Sequence, residues 1–368
     1  MTNMENTITR RSLLKVAAAT AGAAALGGTA PRAFAQSEEI TIMTWETYHD
    51  DEWLAEWTAK SGVKVNAIRI GSNDETYAKL RSGAAEVDAF VLDIGSMQRF
   101  IEAKLMAPFD VSKVPNASNI ASGLDWQKET TFDGQPRAVP YNWGTQPLMY
   151  NTETVKPAPI SWKIFWDPNH AGKVVMPDDA YIVFPMVALA IGAKDPYNLT
   201  EEEFEKCMQA FRDLRPQLRT LARGFDDATT IFASGDADVG YCQNISSVFA
   251  LKDQGKPFDF SFPDEGTPTW IDCYALSESG AKRQVVYDFI NETMTPQWQA
   301  RFIQKSSNNG ILDAAAATAA DLPEDSLNKT NIPALQDPKF WERMSFFKHP
   351  ENVDRRLEIW NAFKAGTL

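Results

Sequence analysis

The stretch that decides the fold, residues 39–92, reads EITIMTWETYHDDEWLAEWTAKSGVKVNAIRIGSNDETYAKLRSGAAEVDAFVL. Three short apolar runs in it have the length and composition of β-strands, at 39–43, 63–70 and 87–92. Between them, residues 50–60 carry tryptophan and leucine at helical spacing, and residues 73–81 begin with the polar side chains typical of a helix start. This alternation predicts a doubly wound α/β fold whose sheet is covered on both faces.

The same alternation resumes in the second half of the chain. Predicted strands lie at 173–176, 238–242, 258–262 and 269–276, and predicted helices lie at 180–193, 201–214 and 282–294. The chain has 368 residues, of which 44% are hydrophobic and 23% are charged, so a large core can be buried. We therefore expect two α/β lobes connected by long strands.

The N-terminal segment has the pattern of a cleaved export signal. Arg10 and Arg11 precede an apolar, alanine-rich run at 16–26, and Ala33-Phe34-Ala35 offers small residues at the positions that a signal peptidase reads. Paired arginines indicate the twin-arginine route. The apolar run is too short to span a bilayer stably. Residues 1–35 are thus predicted to be removed, which leaves a mature periplasmic protein starting at Gln36.

Composition disfavours several classes of function. The net charge of −13 argues against nucleic acid and anionic membranes as partners and mildly favours cationic ligands. The three histidines show no metal-ligand spacing, and the chain contains no dinucleotide fingerprint, P-loop or nucleophile elbow. We therefore expect no metal, no cofactor and no enzymatic activity, although an exported enzyme is the alternative. Of the three cysteines, Cys242 and Cys273 are the pair that could form a disulfide, and two buried thiols are an equally good expectation.

Candidate binding residues follow from the rule that open α/β sheets bind ligands beyond the carboxyl ends of their strands. The candidates that follow strand ends are Trp45, Glu46, Tyr48, Asp93, Asp179 and Gln243, and Trp270 and Asp272 lie within the last long strand. Carboxylates neutralise ammonium groups, and aromatic faces cover methylenes and attract cations. Other roles stay open: Asp179 can cap a helix, Trp45 can be core, and Glu46 can be a solvated turn residue. Asp272 is harder to explain otherwise, because a carboxylate within an apolar strand is costly without a partner.

Several short motifs in the same order resemble the spermidine/putrescine-binding proteins of ABC importers. They are Trp45–Tyr48, Asn73-Asp74-Glu75-Thr76-Tyr77-Ala78-Lys79-Leu80, Pro140-Tyr141-Asn142-Trp143-Gly144, Pro177-Asp178-Asp179-Ala180 and Trp270-Ile271-Asp272. The resemblance implies a type II periplasmic binding protein with two lobes, 36–142 plus 272–313 and 143–271 plus 314–368. It also implies that Trp45, Tyr48 and Trp270 enclose an aliphatic chain and that Asp179 and Asp272 pair with amines. The implied partners are a putrescine- or spermidine-like cation and an inner-membrane ABC permease, with the protein itself a monomer.

The sequence also departs from the pattern of that family. Gln243 stands where an aromatic residue is common, Ile182 where a second acid occurs, and Asp93 where serine is usual. A tyrosine expected near Gly95 is absent. One amine-binding end is therefore rebuilt, and the ligand can be a shorter diamine, a monoamine, a quaternary amine or a zwitterion such as γ-aminobutyrate. Ferric iron is a further alternative, disfavoured because the chain has no Tyr-Tyr pair.

Overall fold

The structure, a computed structural model, describes residues 38–368, so the predicted export signal at 1–35 lies outside the described residues. The strands, in chain order, are β1 Glu39–Trp45, β2 Lys64–Ile70, β3 Ala89–Asp93, β4 Thr131–Phe132, β5 Gln135–Pro136, β6 Ala138–Thr145, β7 Leu148–Asn151, β8 Val174–Pro177, β9 Leu218–Ala222, β10 Val239–Tyr241, β11 Phe258–Ser261, β12 Thr267–Leu276 and β13 Met344–Phe346.

The α-helices, again in chain order, are α1 Asp51–Ser61, α2 Asn73–Ser82, α3 Met97–Glu102, α4 Trp126–Glu129, α5 Ala180–Ala190, α6 Glu201–Leu214, α7 Phe225–Ala233, α8 Ser246–Asp253, α9 Gln284–Thr293, α10 Pro296–Ser306, α11 Ala314–Ala319, α12 Glu324–Asn328, α13 Pro338–Glu342 and α14 Val353–Ala365. Within residues 38–368, no helix combines the length and the apolar content that crossing a bilayer requires. The apolar helix expected at 180–193 is α5, and its side chains are mostly buried in the protein core.

The first sheet has the strand order β13-β12-β3-β1-β2, and β6 pairs with the opposite edge of β12. β1 runs parallel to β2 and β3, as the strand–helix alternation predicts, whereas β12 runs antiparallel to both β3 and β6. α1 and α2 begin at Asp50 and Ser72 caps and end at left-handed glycines, Gly62 and Gly83. These local stop signals direct the chain back into the next strand.

The second sheet has the strand order β11-β7-β10-β8-β9. The chain passes from the first sheet to the second between β6 and β7 and returns between β11 and β12. A further passage follows β13, because α14 packs into a core with α5 and α6. Helices α11 to α13, by contrast, contribute Ala317 and Phe340 to the core of the first sheet. Two mixed sheets joined by crossing segments and flanked by helices confirm the predicted α/β fold class.

The cysteine expectation is settled in favour of free thiols. Cys207, Cys242 and Cys273 are all buried and unbonded. Cys273 belongs to the core of the first sheet, whereas Cys242 belongs to a separate core beside α7 and α8. The Cys242–Cys273 disulfide considered from the sequence is therefore not present, because Cys273 lies on β12 of the first sheet and Cys242 directly follows β10 of the second.

Candidate functional site

Asp272 occupies the middle of the longest strand of the first sheet. β12 places it opposite Asp93 of β3 on one side and opposite Asn142 of β6 on the other. The register between β12 and β6 shifts immediately after Asp272, which marks a bulge. Asp272 is only 6% exposed. A carboxylate in this position requires a polar or cationic partner.

Tyr48 supplies the only hydrogen bond that Asp272 accepts from residues 38–368. Its hydroxyl donates to Oδ2 of Asp272. Tyr48 is itself held by two other bonds: Asn142 Nδ2 donates to the Tyr48 hydroxyl at 3.2 Å, and the Tyr141 hydroxyl donates to the Tyr48 carbonyl at 2.6 Å. Residues from three segments thus fix the orientation of the Asp272 carboxylate.

Asp93 ends β3 and is held by a different set of donors. Its carboxylate accepts from the Ser96 backbone N–H at 3.1 Å and from the Ser96 hydroxyl at 2.7 Å. The side-chain amide of Asn73, at the start of α2, donates to the same carboxylate. Gly95 is required next to it, because a Cβ there would lie 2.9 Å from Asp93 Oδ1 and 3.3 Å from the Lys348 carbonyl.

Burial dominates the electrostatics of these acids. Burial raises the pKa of Asp272 to about 7; the hydrogen bond from Tyr48 opposes the shift and the charge of Asp93 adds to it. Burial also raises the pKa of Asp93, against the hydrogen bonds from Ser96. Within the described part of the chain, neither carboxylate forms an ion pair with Lys, Arg or His. The pair, a buried Asp272 beside a half-buried Asp93, therefore lacks a cationic partner among the described residues.

Two tryptophans occupy strand positions of the first sheet. Trp45 ends β1 and is partly buried against the core of the first sheet, and its indole N–H has no hydrogen-bond partner among the described residues. Trp270 lies opposite Gly144 in the β12–β6 register. A Cβ on Gly144 would lie 2.3 Å from Cζ2 of Trp270, so the indole ring packs directly on the glycine backbone. This contact explains the glycine in the Asn142-Trp143-Gly144 motif.

Asp179 approaches from the second sheet. It caps α5, where Oδ1 accepts from the Tyr181 backbone N–H at 2.8 Å, so the capping alternative is confirmed. Burial raises its pKa, and the charges of Asp74 and Asp178 add to the shift. Asp74 belongs to α2 beside the first sheet, so its charge acts on Asp179 from the other lobe. Asp179 can thus cap its helix and still contribute negative charge on the opposite side of a cleft.

Glu46 is exposed in the loop after β1, and Gln243 lies in the loop after β10. Glu46 lines a cavity of about 510 Å³ with Thr47, Asp50, Asn244, Ser246, Lys305, Ser306 and Asn308. Asn244 Nδ2 donates to Asn308 Oδ1 at 2.7 Å, which links the loop after β10 to the end of α10. Gln243 is partly buried in that loop. Among residues 38–368, neither Glu46 nor Gln243 forms a hydrogen bond with Asp272. Tyr48 does form one, and Asp93 lies opposite Asp272 in the sheet.

Behind the site lies a buried aromatic network. His49 stacks on Tyr141 with ring centroids 4.9 Å apart. Its Nδ1 forms a hydrogen bond with Thr44 Oγ1 at 2.9 Å, and its Nε2 forms one with the Tyr274 hydroxyl. Burial, with a smaller effect of Arg69, lowers the pKa of His49 to about 3. His49 is therefore a neutral structural residue. In the described part of the chain, no group of three or more His, Cys, Asp or Glu side chains is arranged to hold a metal.

Sequence reasoning missed two side chains of the site, Asn73 and Asn142. Both lie in motifs that resemble the family. Nothing in the spacing of these motifs shows that Asn73 hydrogen bonds to Asp93 or that Asn142 hydrogen bonds to Tyr48. A local signal exists only for Asn73, which opens a helix immediately before a strand that ends in Asp93.

Two mixed sheets, crossing segments and buried acids beside aromatic side chains together define a type II periplasmic solute-binding protein. The family model for bacterial extracellular solute-binding proteins matches residues 52–330, and the chain belongs to this family.

Named relatives agree with this assignment. The chain is 28% identical over 266 residues to spermidine/putrescine-binding periplasmic protein 1 of Haemophilus influenzae, covering 72% of either chain. It is 27% identical over 282 residues to the spermidine/putrescine-binding periplasmic protein of Escherichia coli, covering 75% of this chain and 78% of the relative. The solved spermidine/putrescine ABC transporter substrate-binding protein of Streptococcus pneumoniae superposes with a TM-score of 0.74 at 19% identity, covering 90% of this chain and 100% of that one. This last likeness concerns the fold.

Proposed function

We propose that the protein is the periplasmic receptor of an ABC importer and that it binds a small organic cation of the putrescine or spermidine class. The observation that carries this proposal is the opposed pair of a half-buried Asp93 and a buried Asp272, which has no cationic partner among residues 38–368. An ammonium group would neutralise the pair, whereas an anion or a neutral solute would leave the charges uncompensated. The names of the curated relatives support the same class of ligand.

The side chains divide into three roles in this proposal. Asp272 and Asp93 bind one ammonium group, and Asp179 faces the ligand from the second sheet. Trp45, Tyr48 and Trp270 cover the methylenes of the ligand and attract its charge, at roughly 0.5–2 kcal/mol for each cation–π contact. Glu46 and Gln243 line the periphery of the cleft. The lobe of the first sheet, which includes α11 to α13 and β13, and the lobe of the second sheet close on the ligand from opposite sides.

The remaining features of the proposal concern location and partners. The twin-arginine signal at 1–35 exports the folded chain to the periplasm, where it acts as a monomer and delivers its ligand to an inner-membrane permease. The protein performs no reaction and needs no cofactor, because its site offers acceptors and apolar surfaces but no recognisable nucleophile with an adjacent base. Neutral His49 is buried behind the site and is engaged on both ring nitrogens.

Calorimetric titration of the mature protein tests the proposal. We expect saturable binding of putrescine or spermidine with 1:1 stoichiometry and weaker or no binding of choline and γ-aminobutyrate. A thermal-shift panel provides an independent readout, because a ligand at 100 times its dissociation constant stabilises the folded state by about 2.7 kcal/mol. Absence of heat and of stabilisation with every amine would refute amine binding. If γ-aminobutyrate alone bound tightly, the ligand would be a zwitterion and the proposed diamine would be wrong.

A further inference from the structure

Asn73 contains a buried polar atom that the fold leaves unused. It is the first residue of α2, whose cap is formed by Ser72. Its side-chain nitrogen donates to Asp93 Oδ2. A carboxylate can only accept, so the amide nitrogen must face Asp93 and the carbonyl oxygen must point elsewhere. That oxygen, Asn73 Oδ1, is buried and has no hydrogen-bond partner in residues 38–368.

A second acceptor in the same cluster is also unused. Oδ2 of Asp272 receives the Tyr48 hydroxyl, whereas Oδ1 receives no hydrogen bond from the described residues. Asp93 connects Asn73 with Asp272. It accepts a hydrogen bond from Asn73, and it lies opposite Asp272 in the β3–β12 register. The cluster therefore combines two unused oxygen acceptors with two carboxylates, and it contains no Lys or Arg.

We propose that Asn73 is a further ligand-contacting residue, which together with Asp272 selects a primary ammonium group over methylated ammonium groups. This inference rests on the proposed function. A primary ammonium carries three N–H donors and can satisfy both unused oxygens and still bond Asp93. A tertiary ammonium has one N–H, so at least one buried acceptor stays unsatisfied, and a quaternary ammonium has none.

The competing role for Asn73 is indirect, since its amide could serve only to orient Asp93. Two substitutions separate the roles. Asn73→Ala removes both the donor to Asp93 and the free acceptor. Asn73→Asp removes the donor but keeps an acceptor oxygen; the new carboxylate and Asp93 repel each other in the empty site, and an ammonium group between them relieves this repulsion. Asn66→Ala is the matched control, because Asn66 is an exposed asparagine on the neighbouring strand β2.

The experiment compares putrescine with N,N,N′,N′-tetramethylputrescine, which has the same four-carbon chain and two charges but one N–H per nitrogen. We expect the mature wild-type protein to prefer putrescine by at least about tenfold. Asn73→Ala should lower the affinity for putrescine by about tenfold, while the affinity for the tetramethyl ligand should change by less than about twofold. Asn73→Asp and Asn66→Ala should retain the preference. Circular dichroism verifies that each variant is folded.

Each result has a defined meaning. Equal affinities of the wild-type protein for the two diamines would overturn the role of Asn73 but leave amine binding intact. If Asn73→Ala lowers the affinity for both ligands equally, Asn73 only positions Asp93. Loss of putrescine binding in Asn73→Asp would lead to the same conclusion. If neither diamine binds the wild-type protein while its fold is intact, the proposed function fails as well.

Discussion

Asp272 of β12 and Asp93 of β3 lie directly opposite each other in an antiparallel register, and burial raises the pKa of both. Like charges in directly opposed strand positions repel. The charged group that faces Asp272 is Asp93; Tyr48, which donates its hydroxyl to Asp272, and His49 behind it are both neutral. The pair is therefore least stable when empty and fully ionised, and a cationic ligand relieves this repulsion.

Binding of a diamine should release protons near neutral pH. The pKa of Asp272 is about 7 in the free protein, and an adjacent ammonium lowers it, so the ligand displaces a proton at and below that pH. The affinity should consequently fall as the pH decreases from 8 to 5. Titration at pH 6.5 in buffers of different ionisation enthalpy counts the protons released. An apparent enthalpy that does not depend on the buffer would contradict the prediction, and Asp272→Asn should abolish the release.

The free energy of unfolding of the ligand-free protein should fall as the pH rises, because the buried Asp272 carboxyl group loses its proton. The pKa of this group is about 7 when folded, against an ordinary value of 3.8. Its contribution is thus most favourable below pH 4 and is lost as the pH rises to and beyond 7. Asp272→Asn should therefore raise the free energy of unfolding relative to wild type at pH 8, by at least about 1 kcal/mol. Urea titrations at pH 5 and pH 8 measure the change; a destabilised variant at pH 8 would refute this account.

The charge of Asp272 should contribute strongly to ligand affinity. Asp272→Asn preserves the size of the side chain and an acceptor for Tyr48, but it removes a charge-assisted bond to the ammonium. We expect the binding free energy of putrescine at pH 8 to weaken by about 1.5–3 kcal/mol. Asp226→Asn, at an exposed position on α7, is the control. An unchanged calorimetric affinity would exclude Asp272 from the site.

Gly144 should be needed to hold Trp270 in place. In Gly144→Ala the new methyl group would overlap the indole ring, because the Cβ position lies 2.3 Å from Cζ2 of Trp270. We expect a loss of about 1–3 kcal/mol in the free energy of unfolding and a weaker affinity for the amine. The matched control is Gly71→Ala, where the nearest atom to the added Cβ is Glu75 Oε2 at 3.8 Å. Equal melting temperatures of the two variants would contradict the prediction.

The Asn244–Asn308 hydrogen bond should hold the two sides of the cleft together. Asn308→Ala removes this 2.7 Å bond without touching Asp93 or Asp272. We expect the dissociation rate of the ligand to rise by roughly threefold to tenfold, corresponding to about 0.5–1.5 kcal/mol for one neutral hydrogen bond. Stopped-flow displacement of bound putrescine measures this rate, with Asn198→Ala on the exposed surface as the control. A dissociation rate equal to that of wild type would show that the bond does not resist opening.

Local patterns predicted the first half of the fold well. The strands expected at 39–43 and 63–70 are β1 and β2, and the helix expected at 73–81 is α2 with one further residue. Caps and glycines mark these boundaries within a few residues, so the sequence contains the information locally. The Cys242–Cys273 disulfide could not be judged in this way, since whether two strands share a sheet depends on contacts far apart in the chain.

The sequence by itself determined the α/β class and the family, because periodicity and short motifs are local properties, and it proposed the side chains of the site. Tertiary structure alone decided which of those side chains meet. The register of β12 brings Asp272 opposite Asp93, and α2 brings Asn73 onto Asp93. Register is set by pairing between distant segments, and shifting it by one residue would turn Asp272 to the other face of the sheet. The acid pair without a cation is therefore a product of the fold.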